Sequence, residues 1–183
     1  MPLPVHAIAT EIRSRQPGIG TKKLHKLLYY CQGHHLAVHG VPLFAETIEA
    51  WDMGPVVAEL WRAERRSDAP SAGVELGEAE LNTIGYTLSR YGALTGKDLE
   101  VLSHGEDPWQ EADAGRRRGE GAPMGHEQIA RYFRDNAADD QLDPEQVAAW
   151  LADTATRPRE PGPALTREEL LDAFARTEAR LGG

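Results

Sequence analysis

The chain has 183 residues, of which 40% are hydrophobic and 27% charged, and its formal net charge is −9. That length and balance suit one domain with a small appendage, exclude a disordered composition, and let a core form without metal. The single cysteine, Cys31, excludes an internal disulfide and fits a reducing compartment.

The charge is uneven. Residues 1–66 hold 8 Lys and Arg against 6 Asp and Glu, whereas residues 67–183 hold 12 against 23. An acidic surface repels phosphates, which argues against a nucleic-acid partner and favours a basic one, although solubility alone also accounts for it. No apolar run of 18 residues is present, so no membrane-spanning helix is expected. The opening Met1-Pro2-Leu3-Pro4-Val5-His6 lacks the basic segment and apolar run of a signal peptide, and the expected location is cytoplasmic.

Val5, Ile8 and Ile12 fall at helical spacing and predict a first helix over 5–15, broken by Gln16-Pro17-Gly18-Ile19-Gly20. Thr21 is placed to cap a second helix, Lys22 to about Val38, with Leu24, Leu27, Leu28 and Cys31 as its apolar stripe and Gly40 as a left-handed cap. Lys22, Lys23 and Lys26 crowd its first turns, where the helix dipole disfavours cations, so something else must hold them. Ile48 and Ala50 alternate with Glu49 and Trp51 as in a short strand. Gly54-Pro55 is read as the start of a third helix, with Pro55 at its first position and Val56, Val57, Leu60 and Trp61 on its apolar face.

Residues 67–76 are loop-like, and Leu81, Ile84, Leu88 and Tyr91 mark a helix over 78–91. Thr95-Gly96-Lys97-Asp98 resembles a capping box and opens a helix that carries Leu99 and Leu102 and closes at His104-Gly105. Asp107 is placed to cap a short helix at Pro108-Trp109, and 115–124 reads as a surface loop. Ile129, Tyr132 and Phe133 mark a helix from about His126 to Asn136. A helix from Asp143-Pro144 to about Leu151, a Pro-rich linker over 157–163 and an amphipathic tail helix with Leu170, Leu171, Phe174 and Leu181 complete the chain. The expected fold is therefore mainly α, a compact domain of about seven or eight helices. It has at most a short two-stranded β element, plus a C-terminal helix. The division is a domain over 1–136 and a helical extension over 137–183.

Several residues invite a chemical reading. His35 and His39, four apart, share a helix face as zinc-binding pairs do. A metal-dependent hydrolase using His35, His39 and His104 is one alternative, although no Glu follows His35 in the pattern such enzymes need. Cys31 lies on an apolar stripe, which favours a buried thiol over a nucleophile. Ser103, His104, Glu106 and Asp107 contain the residue types of a hydrolytic triad without its nucleophile elbow. Arg116, Arg117 and Arg118 would serve a DNA-touching regulator of a phage or mobile element, although such runs are often only solvated. Trp51, Trp61 and Trp109 sit beside Gly-Pro or Pro corners, where a ring fixes how two helices meet or anchors a partner.

Lys23-Leu24-His25-Lys26-Leu27-Leu28-Tyr29-Tyr30-Cys31-Gln32-Gly33-His34-His35-Leu36-Ala37 resembles the signature helix of the Panacea domain of SocA-like antitoxins. Pro42-Leu43-Phe44, Ile48-Glu49-Ala50-Trp51 and Gly54-Pro55-Val56-Val57 are similar to its next segment. Leu102-Ser103-His104 with Asp107-Pro108-Trp109 is similar to the following one, and Ile129 with Tyr132-Phe133 to its closing helix. The family has phage-associated, GepA-like relatives. The chain departs from the pattern at His34, where the family often has Trp, and at Asp52-Met53.

The resemblance implies a compact helical domain that neutralises a cognate protein toxin by direct contact, the toxin being encoded by an adjacent gene. Delivery of the toxin to a protease is a further possibility it carries, whereas enzymatic activity and a cofactor are not implied. The candidate partner-binding residues are Lys23, Tyr29, Gln32, His35, Trp51, Gly54, Pro55, Trp61, His104 and Trp109, with Tyr29, Gln32, His35 and the Trp51 corner expected around one patch. The oligomeric state stays open.

Overall fold

The structure is a computed structural model that describes residues 2–66 and 73–137. Its elements run α1 (Val5–Arg15), α2 (Thr21–His39), β1 (Ile48–Trp51), β2 (Gly54–Val57), α3 (Ala58–Arg65), α4 (Glu78–Tyr91), α5 (Gly96–His104), α6 (Asp107–Asp113), β3 (Ala122–Met124) and α7 (His126–Asp135). The fold is mainly α, as expected, and its small sheet has three strands where at most two were expected. The helix at 143–151, the linker at 157–163 and the tail helix lie outside the described residues. None of the described helices is long and apolar enough to cross a membrane.

The axis of the domain is α2, in which every residue from Leu24 to Leu36 is buried. A helix covered all round must be apolar or must satisfy its polar side chains internally, and α2 does both. Leu24, Leu27, Leu28 and Cys31 pack with Ile8 and Ile12 of α1, Ile84 and Tyr91 of α4, Leu99 of α5, and Ile129 and Phe133 of α7 in one core. Gly33 lets α7 come close, with the Phe133 ring filling the space a side chain at 33 would occupy. Gly40, at φ 70°, ends the helix in the left-handed conformation, and its N–H donates to the Leu36 carbonyl at 3.0 Å. The capping box at Thr95 and Asp98 is formed in both directions. Thr21, by contrast, is the first helical residue of α2 and Gly20 its cap, while Glu106 rather than Asp107 caps α6.

The sheet has the order β2-β1-β3, antiparallel throughout. Ile48 and Ala50 point into the core, as their alternation predicts. Two differences from the sequence reading follow from distant partners. Gly54–Val57 forms a strand, and the third helix starts only at Ala58. Val56 and Val57 pair with Glu49 and Ile48, and the outward Pro55 carbonyl and Val57 N–H are both taken by side chains of α2. Ala122–Met124, within the stretch read as a surface loop, adds a third strand against Ile48–Ala50.

Candidate functional site

The cations at the start of α2 have specific partners. Lys22 Nζ lies 2.7 Å from Glu100 Oε2, and the same buried carboxylate accepts from Lys97 Nζ at 2.6 Å. The Lys23 amine donates to the Gly92 carbonyl at 2.6 Å. Lys26 is only 1% exposed, and its amine donates to the Pro55 carbonyl at 3.0 Å. Burial lowers its pKa to about 7, with Glu100 pulling the other way. Beside it, His25 Nδ1 accepts the Val57 N–H at 3.3 Å. Burial, reinforced by Lys26, lowers His25 to about 3, so the ring is neutral and a competent acceptor. Gly54 is required here twice over. Its φ is +94°, and a side chain would meet Lys26 Cε at 2.5 Å.

The hairpin that these contacts hold carries an aromatic surface. Trp51 and Trp61, both half-buried, meet edge to face with centroids 5.3 Å apart, and the Arg65 guanidinium lies 4.7 Å from the Trp61 centroid. Trp51 Nε1 donates to Glu49 Oε2 at 2.8 Å. Half-buried Trp109 donates from its indole to the Trp51 carbonyl at 3.2 Å, and the His104 ring stacks on it at 4.0 Å. Burial lowers the His104 pKa to about 4. The row Arg65–Trp61–Trp51–Trp109–His104 is thus continuous across α3, β1, α6 and α5. Arg116 staples the hairpin tip to α6. It reaches Asp52 Oδ1 and Asp113 Oδ1 at 2.5 Å each and donates to the Glu120 carbonyl at 2.9 Å.

Of the ten residues expected at the partner surface, Trp51, Trp61, His104 and Trp109 come together there, with Gly54 and Pro55 buried in the adjoining strand β2. Tyr29, Gln32 and His35 do not join them, because each is spent inside the fold. Gln32 clamps the chain after α2. Its Oε1 accepts the Leu43 and Phe44 N–H groups at 2.9 and 3.2 Å, and its Nε2 donates to the Phe44 carbonyl at 3.0 Å. Tyr29 and Tyr30 both donate to Glu106, at 2.6 and 2.8 Å. His35 Nδ1 lies 2.9 Å from Thr83 Oγ1. Lys23, half-buried, serves the Gly92 carbonyl as described.

The chemical alternatives fare differently. Among the described residues no three His, Cys, Asp or Glu side chains gather as a metal site requires, so His35, His39 and His104 do not form the ligand set drawn from the sequence. His35 and His39 do pair, with centroids 4.4 Å apart, whereas His104 lies against Trp109. Burial pushes the Cys31 thiol up to about 12, far from a reactive thiolate. Ser103 is buried, and its hydroxyl donates to the Glu100 carbonyl at 3.1 Å. Arg116 is occupied by its carboxylates, which leaves only Arg117 and Arg118 of the arginine run exposed. Between α6 and α7 lies an open hollow of about 150 Å³, walled by polar groups such as Asp107, Glu111, Arg131 and Asp135.

Two structural roles had no direct sign in the sequence. Glu106, met there only as one of several triad-type residues, is the acceptor for two buried phenols, and adjacent tyrosines on a buried helix face are the signal that such an acceptor exists. Arg116 is a staple, and nothing local distinguishes it from Arg117 and Arg118.

A helical module with a rigid half-exposed aromatic face, held by a buried polar frame, is suited to docking against another macromolecule. Compared with known families, residues 24–110 match the model for the antitoxin SocA-like, Panacea domain. The match runs from α2 into α6 and contains all four aromatic-row residues Trp51, Trp61, His104 and Trp109. It supports an antitoxin-type role. No curated protein and no solved structure matches the chain.

Proposed function

We propose that this chain is an antitoxin that neutralises a cognate protein toxin by direct contact in the cytoplasm, without catalysing a reaction. The observation that carries the reading is the family match over 24–110, the span that holds the aromatic row. Trp-rich, half-buried surfaces backed by a rigid frame are where interface energy concentrates. Trp61 and Trp109 would supply the anchors, with Arg65 beside them. The net charge of −9 would steer a basic toxin toward the chain. Handing the bound toxin to a protease is a compatible second step.

The test is co-expression with the product of the adjacent open reading frame. The chain should restore growth that the neighbour abolishes and should co-elute with it. Trp61→Ala should weaken the complex roughly thirtyfold, the loss of an anchor worth about 2 kcal/mol, while leaving the domain folded. A neighbour harmless when expressed alone, or a complex indifferent to Trp61 and Trp109, would refute the proposal.

A further inference from the structure

The helix α6 has seven residues, far too few to hold its shape or place by itself. Yet it carries Trp109, which links Trp51 to His104 in the aromatic row. Its end is tied by Arg116 to Asp113. Its start is tied in a different way. Glu106 is its cap, with a backbone carbonyl that accepts the N–H groups of Trp109 and Gln110 at 3.2 and 3.1 Å. The carboxylate of the same residue turns inward, and its two oxygens accept from Tyr29 and Tyr30 respectively. Those two phenols belong to the most buried helix of the domain and are 0% and 1% exposed. Their rings are fixed in turn. Tyr30 stacks on Tyr91 at 4.0 Å, and Tyr29 meets Phe133 edge-on at 5.5 Å.

We propose that Glu106 is the positioning residue of the aromatic surface. Through the hydroxyls of Tyr29 and Tyr30 it fixes the start of α6 on α2, and thereby the place of Trp109. One residue thus joins the first turn of α6 by its carbonyl and the core by its carboxylate, so that removing the carboxylate frees the helix and strands two buried donors at once. The idea rests on the aromatic row being the docking face, but its test reads α6 directly. It can therefore fail while the antitoxin reading stands, and the reverse.

The experiment compares amide hydrogen exchange of the whole protein with the indole N–H resonance of Trp109, assigned by Trp109→Phe. In Glu106→Ala the α6 amides should exchange roughly tenfold faster or more, while α2 stays protected, and the Trp109 indole resonance should move as its bond to the Trp51 carbonyl loosens. Glu106→Gln should restore most of both readouts, because its amide oxygen still accepts from one phenol and its N–H donates to the oxygen of the other, leaving a single phenolic proton without its acceptor. Should the alanine variant fail to fold, Tyr30→Phe removes one of the two ties and should give an intermediate acceleration. Protection of α6 unchanged in Glu106→Ala or in Tyr30→Phe would overturn the assignment. So would a glutamine variant as loose as the alanine one.

Discussion

Placing a methyl group at Gly33 tests the central packing contact of the domain. An ideal Cβ there would lie 2.5 Å from each of two Phe133 ring carbons and closer still to a third, where ordinary contact needs 3.4 Å or more. The ring cannot swing aside cheaply, since it meets Tyr29 at 5.5 Å, Tyr30 at 6.0 Å and His34 at 4.9 Å between centroids. Relief of about 1 Å must come from α7 moving off α2 or from off-rotamer side chains, at a cost of about 1–3 kcal/mol. Alanine's better helix propensity returns up to about 1 kcal/mol. The net expectation for Gly33→Ala is a loss of about 1–2 kcal/mol, read as a lower urea midpoint at unchanged slope and a Tm drop of roughly 3–8 °C. Phe133→Leu opens space at the same point. The double variant should therefore be more stable than the two separate losses predict, by about 1 kcal/mol. A Gly33→Ala protein as stable as the parent, or strictly additive losses, would refute the steric account of α2 against α7.

Arg116→Ala should cost about 1–2 kcal/mol because it removes the buried guanidinium that ties Asp52, Asp113 and the Glu120 carbonyl together, whereas Arg117→Ala and Arg118→Ala should each stay within about 0.5 kcal/mol by chemical denaturation. Thr95→Ala removes the cap that accepts the Asp98 N–H at 3.1 Å and should lower stability by about 1 kcal/mol in the same measurement. Lys26 holds its proton to about pH 10.5 when unfolded but gives it up near 7 when buried, so between those values the unfolded chain binds more protons and stability rises with pH. Lys26→Met should flatten that slope in melting curves taken from pH 7 to 10, and an unchanged slope would show that the rise has another source.

The elements written in local chemistry were legible in the sequence. The stripe of Leu24, Leu27, Leu28 and Cys31, the Gly40 stop, the Thr95–Asp98 box and the alternation at Ile48 and Ala50 depend on neighbours a few residues away, and each stands where it was expected. What escaped depends on partners far along the chain. Gly54–Val57 carries Pro after Gly and before an apolar helical pattern, so local rules make it a helix start. Its extended form is set by β1 on one side and by His25 and Lys26, about 30 residues earlier, on the other. The same holds for the site. The three tryptophans were identifiable from their turn neighbours, and they do come to the surface. Tyr29, Gln32 and His35 were placed at that surface with them because they stand in the helix that carries the family resemblance. Their true partners, Glu106, the Leu43–Phe44 backbone and Thr83, are 11 to 77 residues away. The three clustered lysines at the start of α2 did signal unseen acceptors, and Glu100, Gly92 and Pro55 are those acceptors.

The way the small sheet ends on both sides limits how any partner can be recognised. On the β2 side, a histidine and a lysine of the central helix already occupy the carbonyl of Pro55 and the amide of Val57. On the β3 side, Pro123 has no amide hydrogen to offer. Among the described residues, an incoming strand would therefore meet occupied groups on β2 and a missing donor on β3. At this sheet, a partner would have to be met by side chains such as the exposed edges of the tryptophan rings rather than by an added strand.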